Sequence, residues 1–458
     1  MITRSSPLSL SPSPSREPES EPESPATEWA ARDAAVVWHG FTQMAAYPGS
    51  APVIVDRAEG RELIDVEGRR YFDAISSLWV MTLGHHVPEL DAAVVDQLGR
   101  VAHSTLLGSG NRAAVEFAEA LAKVVPVDDA HVLFASDGAV AVEQALKVAF
   151  QYWVNRGESG HTRFLALGDA YHGDTVGALS LGDGGFGTGL FDPLRFPVLR
   201  TPGYASPDWA SKAVACVETH ADELAAVVIE PLVQGASGML VSDPADLAAL
   251  GDVCRARGVL LVCDEVATGF GRTGRLFASE WAGADFHPDI MCLGKGITGG
   301  YLPLSATVAS GAVFEAFEGV DLGEQTFYHG HSYGGNALAC AVALRHLQLM
   351  EEWNVLANVV LVADHLSVLL TDRVAGLPGV GAVRQRGLMV GVELAPPSGS
   401  DRWGRRVCAG SVARGVLLRP LGDVVVVMPP LTTTVDEIER VIDVLVASIT
   451  AVWREDCG

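Results

Sequence analysis

VLLVCDEVATGFGRTGRLFASEWAGADFHPDIMCLGKGITGGY, residues Val259–Tyr301, is the stretch of sequence that decides the fold. Its first apolar run, Val259–Cys263, ends abruptly at Asp264. Apolar runs of this length that are closed by charge and glycine are typical of buried parallel strands. A second apolar run, Ile290–Leu293, is followed by Lys295, which has a glycine on either side. An acidic residue at the end of such a strand lies where open α/β sheets bind their ligands.

The aspartate and the lysine together predict catalysis with pyridoxal phosphate. In that chemistry a lysine forms an imine with the aldehyde of the cofactor, and an aspartate keeps the pyridine nitrogen protonated so that the ring can accept electrons. The alternative is a structural Asp264 and a solvated Lys295. That alternative leaves unexplained why both residues end strand-like runs with GFGRTG between them. We therefore predict that Lys295 and Asp264 are catalytic.

Three segments resemble the class III aminotransferases, which have fold type I: DEVATGFGRTG, PDIMCLGKGITGGYLPLSA and HGHSYGGNALACAVA. The resemblance extends from about Trp38 to Val452. It implies that Lys295 carries pyridoxal phosphate, that Asp264 contacts the pyridine nitrogen and that Val266 packs against one face of the ring. It also implies an α/β fold, with a large domain built on a mainly parallel, helix-covered sheet and a small α+β domain.

Composition and charge restrict the possible partners. The chain has 458 residues, 48% of them hydrophobic, which is enough for a large domain and a smaller one. A formal net charge of −24 argues against nucleic acid or an anionic membrane as a partner. Seven cysteines without CxxC spacing indicate reduced thiols in a cytoplasmic protein. No uninterrupted apolar segment approaches membrane-spanning length, and no metal site is predicted.

The pattern along the chain predicts four segments. Residues 1–29 are rich in Ser, Pro and Glu and are expected to be a disordered extension. Strand-like and helix-like runs then alternate over about 132–308, which predicts a mainly parallel sheet. The family arrangement places a large cofactor-binding domain at 81–345. The small domain then consists of 30–80 and 346–458.

The C-terminal segment is expected to contain strands and a long final helix. Two apolar runs, 380–394 and 416–428, are expected to be strands, and two prolines close the second. The final helix is expected at Val435–Val452, with Thr434 as its N-cap.

A phosphate group needs oriented N–H donors, which a glycine turn at the start of a helix provides well. Ser136-Asp137-Gly138-Ala139 precedes a helix expected from Val140, and we assign the phosphate to the backbone of Gly138 and Ala139. Alone, this turn is weak evidence, because turns of this composition are common. The family usually has serine at the position of Asp137, and a carboxylate beside a phosphate is unfavourable. The role of Asp137 is therefore open.

Further motifs match the family around the cofactor. The YHGDT match implies that Tyr171 stacks on the pyridine ring and that Asp174 lies in the substrate pocket. The EPLVQGASG match implies that Glu230 helps to hold the pocket and that Gln234 approaches the phenolic oxygen of the cofactor. Ser332, in HGHSYGG, matches the residue that binds the phosphate of the neighbouring subunit, which implies a homodimer with shared active sites.

Substrate recognition is assigned to aromatic walls and a cation. Trp79 and Phe41 are expected to supply the walls. Arg419, in GVLLRPLGD, has a surface salt bridge as its alternative role. The family match makes Arg419 the ligand of the substrate carboxylate, for which the fork of an arginine is suited. Arg272, in GFGRTG, is a second pocket candidate.

SSLW, HSTLLG, YHGDT and LRPLGD resemble most the family members that transfer an amino group to 8-amino-7-oxononanoate in biotin biosynthesis. Their usual amino donor is S-adenosylmethionine. Leu78 stands where those members have a second tryptophan before Trp79, and Phe41 stands where they have tyrosine. Both changes resemble the subgroup that uses lysine, so the donor is open between adenosylmethionine and lysine.

Other functions are weighed against this one. A nucleotide-binding module would need GxGxxG or GxxxxGK[ST] after the strand that precedes the SDGA turn, and neither is there. A non-catalytic protein of this fold would normally carry a DNA-binding segment, which the acidic, Pro-rich N-terminus does not offer. A class III ω-aminotransferase with another amine and ketone pair stays open. A decarboxylase and an aminomutase also stay open, because they share the residues that hold the cofactor.

Overall fold

A computed structural model of the chain describes residues 24–50, 52–183, 187–400 and 402–457. The chain divides into two compact units, Met1–Arg57 with Ile64–Arg69 and Ala58–Leu63 with Arg70–Gly458. The second unit contains three clusters of buried apolar side chains and the candidate site.

The strands are numbered in chain order. Their bounds are β1 Val55–Glu59, β2 Glu62–Asp65, β3 Arg70–Asp73, β4 His131–Ala135, β5 Arg163–Leu167, β6 Leu199–Thr201, β7 Leu224–Ile229, β8 Val233–Gln234, β9 Leu240–Val241, β10 Leu260–Asp264, β11 Ile290–Leu293, β12 Ser305–Ala309, β13 Val380–Arg386, β14 Met389–Leu394, β15 Val416–Leu417, β16 Arg419–Leu421 and β17 Val424–Val427.

The α-helices are numbered in the same way. Their bounds are α1 Pro25–Val36, α2 Pro88–Leu98, α3 Arg112–Ala122, α4 Gly138–Asn155, α5 Val176–Leu181, α6 Trp209–His220, α7 Pro244–Arg257, α8 Gly311–Glu315, α9 Ala337–Glu352, α10 Val355–Leu369, α11 Trp403–Val412 and α12 Val435–Cys457. Short 3₁₀ helices lie at Met44–Ala46, Pro48–Ser50, Thr188–Leu194, Ala221–Glu223, Ala278–Ala282 and Lys295–Thr298, and α10 continues as a π-helical turn, Leu370–Val374.

The central sheet has the strand order β4-β12-β11-β10-β7-β5-β6 within the described residues. Neighbouring strands from β11 to β6 are parallel, whereas β12 is antiparallel to both β11 and β4. Helix α4 packs against β11, β12 and β7, and α7 contacts β10. The prediction of a mainly parallel, helix-covered sheet is confirmed.

The register of three central strands brings their carboxyl ends to the same edge. Cys263 of β10 pairs with Ile229 of β7 and with Met291 of β11. All residues of β7, β10 and β11 are buried. Because each strand is covered on both faces, its sequence is a continuous apolar run rather than an alternating one, which is why these strands were predicted.

Three short strands of the described chain were not predicted. β6 lies at the edge of the central sheet. β8 and β9, with two residues each, pair as an antiparallel hairpin. Each has two or three residues, too few to produce a recognisable apolar run. Strand β12, at the end of the alternating region, runs antiparallel to both of its neighbours.

A second hydrophobic core joins two distant parts of the second unit. It combines buried side chains between Phe72 and Leu90 with buried side chains between Val342 and Val452. Strand β3 also pairs in parallel with β15. This arrangement supports a small domain built from both ends of the chain, and the boundaries 30–80, 81–345 and 346–458 stay a prediction.

Two strands predicted in that core are wrong in their extent. Residues 380–394 form a hairpin of β13 and β14, because Gly387 turns the chain at a φ of +59°. A Cβ atom at Gly387 would lie 2.4 Å from the backbone oxygen of Arg272, so a larger residue does not fit there. Residues 416–428 contain β15, β16 and β17, and Gly422, at a φ of +60°, turns the chain between the last two.

The final helix, α12, has the predicted N-cap. Thr434 Oγ1 accepts a hydrogen bond from the backbone N–H of Glu437, and the Glu437 carboxylate accepts one from the backbone N–H of Thr434. This reciprocal pair is a capping box, which satisfies two N–H groups at the start of a helix. The helix extends past the expected Val452 to Cys457.

The first unit contains a helix where part of a disordered extension was expected. Helix α1 begins at Pro25 and has Ser24 as its N-cap, so the expected extension 1–29 overlaps it. Proline at the first helical position and a serine cap are standard helix-start signals, and they outweigh the Ser/Pro/Glu-rich composition here. Residues 1–23 of the expected extension lie outside the described residues.

One helix of the described chain, Val355–Val374, is long and apolar enough to cross a membrane, by length and composition only, with a mean hydropathy of 1.6. Polar residues such as Asp364 interrupt the apolar sequence of this helix. For that reason it is not an uninterrupted apolar segment of membrane-spanning length. Its buried side chains include Val359, Val362 and Leu366, which belong to the second hydrophobic core. The amphipathic core helix of a domain has this composition.

His346 on α9 supplies a test of burial in this fold. Its side chain is 0% exposed and Nε2 lies 2.7 Å from Thr82 Oγ1. Burial, followed by the Arg272 charge, lowers the pKa of His346 to about 4. The unfolded chain therefore binds a proton that the folded chain does not, and wild-type stability falls as pH drops from about 7 towards 4, by up to about 3 kcal/mol.

We expect His346→Gln to lose this part of the pH dependence, because glutamine does not titrate. Thermal unfolding midpoints of wild type and variant, measured from pH 7.5 to 4.5, should converge or cross as the pH falls. Exposed His131 offers a matched control, and His131→Gln should keep the wild-type profile. Parallel profiles for wild type and His346→Gln would contradict the prediction.

Candidate active site

Three ionisable side chains follow neighbouring parallel strands at one edge of the central sheet. Glu230 follows β7, Asp264 ends β10 and Lys295 lies just beyond β11. Burial lowers the pKa of Lys295 by more than the Asp264 and Glu230 carboxylates raise it. A lysine with a lowered pKa has a larger fraction of neutral, nucleophilic amine at neutral pH than a free lysine.

The two glycines on either side of Lys295 pack tightly against neighbouring side chains. Lys295 itself has a φ of +41°, in the left-handed region. A Cβ atom at Gly294 would lie 3.2 Å from Val266 Cγ1, and one at Gly296 would lie 3.0 Å from Thr82 Cγ2. The two glycines therefore let β11 and the following 3₁₀ turn approach their neighbours closely, and this fixes where the lysine side chain starts.

Asp264 is held by a buried histidine. Asp264 Oδ2 lies 2.7 Å from His172 Nδ1, and Oδ1 accepts a hydrogen bond of 3.1 Å from the backbone N–H of Val266. Burial lowers the pKa of His172, but the hydrogen bond to Asp264 and the charges of Asp264 and Glu230 raise it by more. The hydrogen bond and the neighbouring charges favour the protonated form of His172, which can then pair with the Asp264 carboxylate.

Glu230 and Tyr171 are also connected, by a hydrogen bond from the backbone of Tyr171. The Glu230 carboxylate accepts backbone N–H bonds from Tyr171 at 3.2 Å and from Gly235 at 3.1 Å. Burial raises the pKa of Glu230 to about 7. The Tyr171 hydroxyl donates to Asp174 Oδ2 at 2.9 Å, and burial together with this bond raises the pKa of Tyr171. These bonds orient the ring of Tyr171 at the cavity.

The start of α4 answers the question about Asp137. Its carboxylate accepts the backbone N–H of Val140 at 3.0 Å, so Asp137 is the N-cap of its own helix. The N–H groups of Gly138 and Ala139 remain at the open end of the helix. A Cβ atom at Gly138 would lie 2.6 Å from Val266 Cγ1, which explains why glycine begins this helix.

These side chains surround a cavity of about 470 Å³. Its lining consists of Trp79, Asp137, Gly138, Ala139, Tyr171, His172, Gly173, Asp174, Thr175, Glu230, Ala236, Asp264, Val266, Ala267 and Lys295. Three buried polar atoms in this lining, Trp79 Nε1, His172 Nε2 and Thr175 Oγ1, have no hydrogen-bond partner within the described parts of the chain.

The cavity fits pyridoxal phosphate. It offers an amine for the aldehyde, a carboxylate for the pyridine nitrogen and the N-terminus of an 18-residue helix for the phosphate. Tyr171 and Val266 supply surfaces for the ring. Three buried polar atoms without partners are typical of a cavity that binds a polar ligand.

Most of the predicted site residues line this cavity, whereas Ser332 and Arg419 lie elsewhere on the surface of the second unit. Ser332 is exposed, and its backbone carbonyl accepts a bond from His103 Nε2. Arg419 is exposed at the start of β16. Phe41 belongs to the first unit and is 61% exposed. Their roles stay predictions.

Arg272 does not belong to the residues that line the cavity, and its assignment as a substrate ligand stays a prediction. Its guanidinium is buried and donates to backbone oxygens of Pro429 at 2.6 Å, Met81 at 2.9 Å and Trp79 at 3.3 Å, and to Ser76 Oγ at 3.3 Å. Burial lowers its pKa to about 9. With both terminal nitrogens bonded to the protein, Arg272 has no free fork for a carboxylate.

Gln234 lies outside the cavity lining as well, and its predicted approach to the phenolic oxygen of the cofactor stays a prediction. Its Nε2 donates to the Gly168 carbonyl at 2.8 Å, and its Oε1 accepts the N–H of Tyr204 at 3.0 Å. The side chain is 1% exposed and fastens a neighbouring loop instead of lining the cavity. His172 was overlooked as a site residue, although its place between Tyr171 and the end of β10 follows from the YHGDT match.

Trp79 is presented to the cavity by an unusual turn. Ser76, Ser77, Leu78 and Trp79 have φ values of +50°, +48°, +77° and +72°, which makes four successive residues left-handed. This conformation costs roughly 1–2 kcal/mol for each residue that is not glycine. The turn brings the Trp79 ring centroid to 5.2 Å from Lys295 Nζ.

Comparison with known families places these observations in context. The family model described as "Aminotransferase class-III" matches residues 44–449. The adenosylmethionine-8-amino-7-oxononanoate aminotransferase of Nitratidesulfovibrio vulgaris is 45% identical over 442 residues, which cover 92% of this chain and 81% of that protein. The protein of the same name from Aquifex aeolicus is 42% identical and covers 91% of this chain and 96% of its own length.

Solved structures agree with the sequence comparisons. The adenosylmethionine-8-amino-7-oxononanoate aminotransferase of Methanocaldococcus jannaschii has a TM-score of 0.88 and 37% identity, with 93% of this chain and 98% of that chain covered. An ω-transaminase from Pseudomonas jessenii, solved in complex with PMP, has a TM-score of 0.86 and 26% identity, with 93% and 98% covered.

Lys295→Ala should prevent covalent attachment of the cofactor, because it removes the buried amine. We expect loss of the visible absorption band of the attached cofactor and a fall in amino-transfer rate of about a hundredfold or more. Absorbance spectra and steady-state rates check this. Lys212→Ala, at an exposed lysine, is the control and should behave as wild type. Full turnover in Lys295→Ala would refute the assignment.

Asp264→Asn should leave a folded protein with low activity, because it removes the charge while keeping the shape. Losing a charge-assisted contact typically costs about 1.5–3 kcal/mol, which corresponds to roughly ten- to two-hundredfold in rate. Rates and thermal midpoints should be compared with those of Asp208→Asn, at an exposed aspartate. Wild-type rates in Asp264→Asn would show that the carboxylate is not needed.

Proposed function

The chain belongs to the class-III aminotransferases, and on that premise we propose that it transfers an amino group to the ketone of 8-amino-7-oxononanoate in biotin biosynthesis. The observation that carries the proposal is the match to curated relatives named for this acceptor, at 35–45% identity over most of the chain. Neighbouring ω-transaminase structures are similar at 26–28% identity, so identity favours this acceptor over other amine and ketone pairs.

The enzyme uses pyridoxal phosphate, which supplies an electron-accepting ring and a carrier for the amino group when it is bound. We assign Lys295, Asp264, Tyr171 and the backbone of Gly138 and Ala139 to hold it. The lowered pKa of Lys295 suits an amine that attacks an aldehyde and then moves a proton at the reacting carbon.

Two further residues of the cavity lining, His172 and Glu230, affect the charge around Lys295. The bond of 2.7 Å between His172 and Asp264 fixes the orientation of the carboxylate that would pair with a protonated ring nitrogen. Glu230, whose pKa burial raises to about 7, is partly protonated at neutral pH. The site therefore combines the Asp264 carboxylate with a Glu230 carboxylate whose pKa lies near neutral pH, beside the lysine.

The acceptor has a carboxylate at the far end of an apolar chain, and we assign Arg419 to bind it. Arg419 is exposed at the start of β16. A charge-assisted bond from a guanidinium fork is the chemistry that a carboxylate requires. Trp79 supplies an apolar wall next to Lys295, at 5.2 Å from Nζ.

The amino donor in this proposal is S-adenosylmethionine, the donor in the names of the relatives. The specific observation in favour of lysine is Leu78, which precedes Trp79 where adenosylmethionine users have a second tryptophan. Single-turnover reactions of the cofactor-loaded enzyme with each donor decide between them. Rapid loss of the visible band with one donor alone identifies that donor.

We further propose a cytoplasmic homodimer in which Ser332 contributes to the phosphate site of the neighbouring subunit. The exposure of Ser332 in the single chain leaves its side chain available for such a contact. Light scattering gives the mass in solution. Mixing Ser332→Ala with Lys295→Ala protein tests whether sites are shared, because only a shared site changes its activity when the subunits exchange.

Arg419→Ala should raise KM for 8-amino-7-oxononanoate by roughly ten- to two-hundredfold, the cost of a lost charge-assisted bond. The KM for an analogue without the carboxylate should change much less. Arg454→Ala, at an exposed arginine of the last helix, is the matched control. Steady-state kinetics with both acceptors measure this. An equal loss with both acceptors would show that Arg419 does not recognise the carboxylate.

A further inference from the structure

The left-handed turn Ser76–Trp79 connects β3 to the wall of the cavity, and its conformation needs an explanation. Ser-Ser-Leu-Trp contains no glycine, and none of these residues favours a positive φ. Such a conformation persists only when the surroundings over-determine it. The contacts around the turn therefore indicate what holds it.

Arg272 holds the turn from one side. It bonds Ser76 Oγ at the first residue of the turn, the carbonyl of Trp79 at the last, and the carbonyl of Met81 just beyond. The same guanidinium donates at 2.6 Å to the Pro429 carbonyl, and Ser76 Oγ donates at 2.7 Å to the neighbouring Met428 carbonyl. One buried cation thus ties both ends of the turn to Pro429, just beyond the end of β17.

Asp73 holds the turn from the other side. Its Oδ1 accepts the backbone N–H of Ser77 at 2.9 Å, and its Oδ2 accepts the Ser77 hydroxyl at 2.7 Å. His85 Nε2 lies 2.9 Å from the same Oδ2. Asp73 is 0% exposed, so these bonds are formed in a low dielectric and are strong.

The indole that the turn presents has little freedom to move. Trp79 is 7% exposed, and a Cβ atom at Gly235 would lie only 3.2 Å from its Cζ3. The ring also contacts the Lys295 amine. A change in the turn would therefore shift the ring within the cavity.

We propose that Arg272 is a positioning residue, which clamps the left-handed turn and thereby fixes Trp79 beside Lys295. It acts through the backbone and makes no contact with substrate. The inference rests on the proposed role of the Lys295 site, and it does not depend on which acceptor or donor is used.

The first test is hydrogen–deuterium exchange of Arg272→Lys. Lysine keeps the charge but cannot bond both ends of the turn. The amide hydrogens of Trp79, Val80 and Met81 bond to Ile75 and Ser76 carbonyls in the turn. In a peptide covering 75–83 they should exchange at least about tenfold faster in the variant. Unchanged exchange would overturn the proposal.

Arg200 provides a matched control. Its guanidinium makes four hydrogen bonds, as that of Arg272 does, but to the backbone carbonyls of Leu167, Ser180, Leu181 and Gly182 at a different loop. Arg200→Lys should leave exchange in the 75–83 peptide as in wild type. Equal acceleration in both variants would mean general loosening of the protein and would overturn the specific role of Arg272.

The second test is rescue by relief of strain. Leu78 is 44% exposed, has a φ of +77° and does not line the cavity, and glycine adopts this φ without steric cost. Leu78→Gly added to Arg272→Lys should restore part of the exchange protection and part of kcat. If Arg272→Lys alone does not fold, recovery of folded protein by Leu78→Gly supports the clamp. Failure of the rescue in either readout overturns it.

Kinetics separate positioning from substrate binding. Arg272→Lys should lower kcat about equally for acceptors with and without a carboxylate. The reason is that the variant displaces the Trp79 ring in the cavity wall and leaves carboxylate binding unchanged. A rise in KM confined to carboxylate-bearing substrates would overturn the proposal and restore Arg272 as a ligand. If the exchange and rescue results hold while 8-amino-7-oxononanoate is not aminated by wild type, the proposed acceptor is wrong and the clamp stands.

Discussion

The parallel register of β7, β10 and β11 is the constraint on which the rest of the site depends. Because of this register, three buried strands end at the same edge of the sheet. Glu230, Asp264 and Lys295 therefore lie close together in a largely buried site. Buried charges are costly unless they are paired or hydrogen-bonded. Each of the two acids accordingly has its own partners, two backbone N–H groups for Glu230 and His172 with one N–H for Asp264. A slip of one residue in β10 would turn Asp264 to the opposite face of the sheet.

The sheet edge could be predicted because its signals are local. A strand buried on both faces is a continuous apolar run, and the first charged residue after it marks the edge. The glycines around Lys295 and at the start of α4 are local signals too, because each stands where a Cβ atom would collide with a neighbour. Even the open question of Asp137 has a local answer, since this residue caps the helix that follows it.

The partners of Arg272 could not be predicted in the same way. They lie 196 positions earlier at Ser76 and 157 positions later at Pro429, so the GFGRTG motif contains no sign of them. The left-handed turn could not be predicted either. Its residues are those of an ordinary helix or loop, and only the folded surroundings impose the positive φ values. Residues 380–394 show a milder case, in which one glycine at a φ of +59° divides an apparent strand into a hairpin.

The left-handed turn shows that residues which do not line the cavity can still determine its shape. Ser77 and Leu78 have exposed side chains, yet their backbone angles decide where the indole of Trp79 stands. Substitutions at such positions can change which molecules fit while every lining residue stays the same. Relatives compared only by their lining residues would then look equivalent and still differ in selectivity. Laboratory evolution of this scaffold has the same opportunity, since a solvent-facing residue tolerates change more readily than a buried one.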